Sequence, residues 1–165
     1  MVEVTNLQYL KRSNTKPAPG DVFAMLLPDE RYLFGRVILA EVPRGRAPMP
    51  GAYLLYIYTE TASTKEPPLD KLTPDRLLIP PLYTNRKGWT MGLFETVAKT
   101  ELSPADLLSR HCFWSPTRQR YYDETGQEID GPVEPCGRWA LAAYEYVDDL
   151  ISDALGMARS PRTRR

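Results

Sequence analysis

Apolar and polar positions along the chain alternate in short blocks, and the first blocks are the clearest. Residues 22–27 are an unbroken apolar run, which suits a strand buried on both faces. Pro28, Asp29 and Glu30 then supply turn chemistry, because Pro presets φ and Asp bonds nearby backbone. Tyr32, Leu33, Phe34, Val37, Ile38, Leu39 and Val42 follow. They are rich in β-branched and aromatic side chains and predict a second strand. Gly35 lies mid-strand, where glycine marks a bulge or a close approach of another group. Residues 52–60 alternate with Tyr53, Leu55 and Ile57 on one face and Leu54, Tyr56 and Tyr58 on the other. Both faces are apolar, so this third strand is expected to be central.

The later blocks are shorter. Residues 69–72 predict one helical turn, and residues 77–79, 94–97, 111–114, 120–122 and 128–129 predict short strands. Ser103, Pro104 and Asp106 make a helix start, with Ser as N-cap, Pro at the first position and an acid near the positive dipole end. That helix is expected to end near Ser109. From 138 to 155 there is neither proline nor glycine, and Gly156 is placed as a C-cap, which predicts a long helix. Ala140, Ala143, Val147, Leu150, Ile151 and Ala154 form its apolar stripe. Glu145, Asp148, Asp149 and Ser152 fall opposite, as an acidic face turned to solvent.

The pattern predicts an α+β, mostly β class: a small curved antiparallel sheet or half-barrel, a long C-terminal amphipathic helix packed on it, and one short helix. Residues 1–18 read as a polar lead-in, 19–157 as a single domain and 158–165 as a basic, disordered tail.

Composition sharpens this picture in a few places. A chain of 165 residues fits one domain. Sixteen prolines force short elements and irregular connections. Lys plus Arg equals Asp plus Glu, so bulk electrostatics name no partner. Cys112 and Cys136 read as two ordinary thiols, because one pair in a chain this size is no disulfide framework. The N-terminus lacks a signal peptide's apolar core, and no run approaches the ~20 apolar residues of a membrane span. The expectation is a soluble, cytoplasmic protein without a membrane partner.

Catalytic chemistry is sparse. His111 is the single histidine, and Cys112 beside it would point to the opposite face of a strand, so the two do not share a metal. A nucleophilic His111–Cys136 pair would need the fold to bring them within hydrogen-bond reach. No phosphate-binding glycine loop, dinucleotide fingerprint or nucleophile elbow occurs, and nothing calls for a cofactor. Arg118, Arg120, Tyr121 and Tyr122 could form a nucleic-acid face. The acids Asp123, Glu124 and Glu128 beside them, and the zero net charge, argue against it. What remains suits protein binding: an acidic helix face of Glu145, Asp148, Asp149 and Asp153, and a loop with Arg86 and Trp89 as candidate anchors.

The opening GDVFAMLLPDERYLFGRVI resembles the N-terminal signature of the bacterial immunity protein 26 family. Gly20, Asp21 and Phe23 match its first strand, Asp29 its turn, and Tyr32, Gly35, Arg36 and Val37 its second strand. The later segments LLIPPLYTNRKGW, FETV, RHCFW, RYYDETGQEI and EPCGRWAL resemble a subgroup of that family. The resemblance implies a mostly β antitoxin that binds a cognate polymorphic toxin in the cell that makes both. It carries no catalytic motif over to this chain. Some related sequences are labelled organophosphate hydrolases, so a phosphotriester hydrolase is the alternative the resemblance implies. A non-catalytic nucleic-acid or protein-binding module is the third reading. Oligomeric state and the identity of the toxin stay open.

Overall fold

A computed structural model describes residues 5–162. Residues 1–4 of the lead-in and 163–165 of the basic tail lie outside them. The opening hairpin forms as its pattern predicts, from β1 (Asp21–Leu26) and β2 (Tyr32–Val42). The two pair antiparallel with Val22 opposite Arg36 and Leu26 opposite Tyr32. The turn closes through Leu27 N–H donating to the Arg31 carbonyl at 2.9 Å. Gly35 meets both expectations for a mid-strand glycine. A Cβ there would lie 2.3 Å from the Phe23 ring, and the register of β2 shifts between Leu33 and Gly35.

β3 (Ala52–Ala62) pairs with β2 and is buried along its first seven residues, so it is central as predicted. β4 (Leu82–Thr84) extends the sheet beyond β3, and β5 (Glu95–Lys99) extends it beyond β1. The remaining strands are β6 (Cys112–Ser115), β7 (Arg120–Tyr122), β8 (Glu128–Ile129), β9 (Cys136–Arg138) and β10 (Leu141–Ala142). The result is two sheets, not one curved sheet or half-barrel. The larger runs β10-β4-β3-β2-β1-β5 and the smaller β8-β7-β6-β9. All pairs are antiparallel except β10 with β4 and β6 with β9.

The large sheet is buried on both faces, which is why its central strands carry apolar side chains on both sides. One face holds Phe23, Met25, Leu33, Val37, Tyr53, Leu55 and Ile57, packed against Trp89, Phe94, Val147 and Ile151. The other holds Ala24, Phe34, Ile38, Leu54, Tyr56 and Tyr58, packed against Tyr83 and Phe113. Arg36 leaves β2 almost wholly buried and meets Asp106 at 3.1 Å.

The long C-terminal helix is the expectation that the structure overturns. The observed helix α2 is Tyr144–Ala154, 11 residues. Residues 136–142 are taken by β9 and β10 instead. Leu141 and Ala142 lie alongside Tyr83 and Thr84, and Thr84 Oγ1 donates to the Ala142 carbonyl at 2.6 Å. Ala143 is extended at the helix N-cap. Residues 138–142 hold no helix breaker, but partners across the sheet edges outweigh their weak intrinsic preference. Ala140 and Ala143 therefore belong to no helical stripe. The short helix after Ser103 is likewise a single 3-10 turn (Pro104–Asp106), because Leu107 turns extended and packs against the second core face. Leu77 makes only an isolated bridge to Tyr58, in place of the strand expected at 77–79. Trp89 sits in a one-turn helix α1 (Lys87–Thr90). Among the described residues no helix is long and apolar enough to cross a membrane.

Candidate functional site

The acidic residues on α2 divide sharply. Asp148 is fully buried and faces inward, as does Ser152. Its Oδ1 accepts from Leu7 N–H at 2.9 Å, and its Oδ2 accepts from Asn6 N–H at 3.0 Å and from Arg162 at 3.1 Å. Asn6 also donates its side-chain amide to Ser152 Oγ at 2.8 Å. Asp148 is therefore the staple that fixes the lead-in to α2, since it satisfies two backbone donors that burial of Leu7 would otherwise strand. Asp149 pairs with Arg162 and Asp153 with Arg159, at 2.5 and 2.6 Å. The Asp153 carboxyl is held below its usual range by the Arg159 guanidinium. The tail as far as Arg162 thus lies along the helix and covers part of its acidic side. Glu145 is half-buried on the first turn.

The 85–90 segment also divides. Trp89 is 1% exposed, packed edge-on to Phe23 and Phe94 with ring centroids 5.1 Å away from each, and its indole N–H donates to Thr96 Oγ1. It is a core side chain. Arg86 is half-buried and donates to the Asn14 carbonyl at 3.1 Å, beside a hollow of about 280 Å³.

A larger concavity, about 850 Å³, opens where the two sheets meet α2. Trp114 and Tyr121 stand on one wall with ring centroids 4.7 Å apart, facing each other across the β6–β7 pair. Tyr146 and Leu150 of α2 form the opposite wall, and Tyr146 keeps 36% of its surface exposed. Pro80 and Pro81 line the floor, and Arg138 stands on the wall that β9 contributes. Proline rings and large aromatic faces offer apolar area at little conformational cost on binding. The sequence pattern hid this groove because its walls come from segments far apart in the chain. The aromatic density of residues 113–122 was the one signal available.

His111 is buried in a chain of hydrogen bonds. The Tyr56 hydroxyl and Nε2 share a hydrogen bond of 2.6 Å, and Nδ1 lies 3.2 Å from a Glu124 carboxylate oxygen. Leu108 N–H donates to the same Tyr56 hydroxyl at 3.1 Å. Burial pushes the Tyr56 phenol up to about 12, so it remains a donor at neutral pH. Both imidazole nitrogens are thus engaged, and Cys136 faces Cys112 rather than His111. Among the described residues no group of three or more His, Cys, Asp or Glu side chains could hold a metal.

A two-sheet β domain of this kind uses its strongest polar groups inside and presents an aromatic groove outside. The family model of Immunity protein 26 matches residues 18–123, well over half of the chain. The chain belongs to the immunity protein 26 family. No curated protein and no solved structure matches it.

Proposed function

We propose that this chain neutralises a cognate toxin by docking on it and covering its active site or substrate channel, with α2 and the aromatic groove as the contact surface. Family membership is the observation that carries the reading, because an immunity protein acts on a toxin partner. The groove supports the choice of surface. Trp114, Tyr121, Tyr146 and Arg138 are residue types that dominate binding energy at protein interfaces.

The toxin is proposed to be a nuclease. Glu145, Asp149 and Asp153 lie on α2, the helix that contributes Tyr146 and Leu150 to the groove, and would complement a basic, phosphate-binding cleft, speeding encounter. Arg159 and Arg162 already show how cations seat on this side of the helix. Arg86 lies apart from this surface and would contribute only to a second contact.

The test is a pull-down with the tagged chain from a lysate of the source organism, followed by an activity titration of the retained protein. The expected result is one toxin domain in equimolar amount, silenced at one equivalent of the chain. A retained toxin that keeps full activity while bound would overturn the steric mechanism.

A further inference from the structure

Cys112 and Cys136 are far apart in sequence and face each other in the structure. They are register partners in the parallel pairing of β6 with β9. Adjacent strands lie ~4.7–4.9 Å apart, inside the ~4.4–6.8 Å range of Cα separations that a disulfide spans. Register partners project from the same face of a sheet, so the two side chains lie side by side. Both are free thiols in this structure. They differ in access: Cys112 is 1% exposed, while Cys136 is half-buried and lines the groove.

We propose that Cys112 and Cys136 form an intramolecular disulfide by exchange with a low-molecular-weight disulfide that enters through the groove. The Cys136 thiolate attacks one sulfur of the small disulfide, whose S–S bond breaks and releases one thiol. The Cys112 thiolate then attacks the Cys136 sulfur of the mixed disulfide and expels the second thiol. In sum the protein loses two protons and two electrons, and the small disulfide is reduced to two thiols. The product closes a loop that holds β7 and β8, and ties the wall carrying Arg138 to the strand carrying Trp114. Burial and the neighbouring Cys112 push the Cys136 thiol up to about 12. The exchange is therefore slow at neutral pH, and its rate rises about tenfold per pH unit while the thiolate is the minor form.

The experiment incubates the folded chain with oxidised glutathione at several pH values, then alkylates remaining thiols under denaturing conditions and maps the peptides. The expected result is a monomer with both thiols lost, a Cys112–Cys136 cross-linked peptide, and a rate that climbs with pH. The oxidised form should melt higher than the reduced form, and reductant should erase the difference. Cys136→Ser should lose the cross-link and leave Cys112 unmodified. A stable glutathione adduct at Cys136 with Cys112 still free would overturn the proposal. So would a cross-link formed only in urea, or one joining two chains.

Discussion

At the scale of single residues, the informative groups are the buried polar ones. His111 sits between two partners, with Nδ1 facing the Glu124 carboxylate and Nε2 the Tyr56 hydroxyl. Burial lowers its pKa, and Glu124 pulls the other way without reversing the shift. The fold therefore favours the neutral ring relative to the unfolded chain, whose histidine titrates near pH ~6.5. The stabilisation is fully present above that pH and is lost as pH falls through the lower, folded value. Urea midpoints at pH 8 and pH 5 should fall more for the wild type than for His111→Gln. Equal falls in both would place the acid sensitivity elsewhere, in the carboxylates. Tyr56→Phe should cost about 1–3 kcal/mol at either pH, because it strands the Leu108 N–H and the histidine acceptor together. Very little of this was legible in the sequence. Tyr56 and His111 are 55 residues apart, and each alone reads as an ordinary core or strand residue.

At the scale of elements, the contrast is between the opening hairpin and α2. The hairpin could be read because its information is local: an apolar run, a turn with Asp29, and a glycine mid-strand where a bulge and a close approach coincide. The start of α2 could not, because residues 136–142 choose strands over helix through partners more than twenty residues away. The same non-local logic inverted Asp148. Helical spacing places it among the acids, yet the lead-in crosses over it and turns it into an internal acceptor. Asp148→Ala should therefore cost about 3–5 kcal/mol, the range for breaking a buried charged network. Hydrogen exchange should show lost protection at Asn6 and Leu7 as the lead-in detaches. Asp153→Ala should leave the urea midpoint where it was, since an exposed pair contributes little. If both variants behaved alike, the lead-in would owe nothing to Asp148.

At the scale of the whole molecule, both sheets and α2 contribute to the groove, and the question is which part of that surface carries affinity. The aromatic groove and the acidic flank make different predictions. Tyr146 is exposed, so Tyr146→Ala should leave stability within about 0.5 kcal/mol of the wild type. As a central anchor it should nevertheless weaken toxin binding by at least about 30-fold, the ~2 kcal/mol typical of a hot-spot side chain. The loss should appear in the dissociation rate, since short-range packing acts after encounter. Glu145→Lys should do the reverse: slow association, flatten its dependence on salt, and leave dissociation nearly unchanged. Asp149 is a poorer probe, because reversing it also breaks the Arg162 contact that holds the tail. A toxin that distinguishes neither variant from the wild type would place the interface away from α2. The half-buried Arg86 and its hollow would then be the surface to map next.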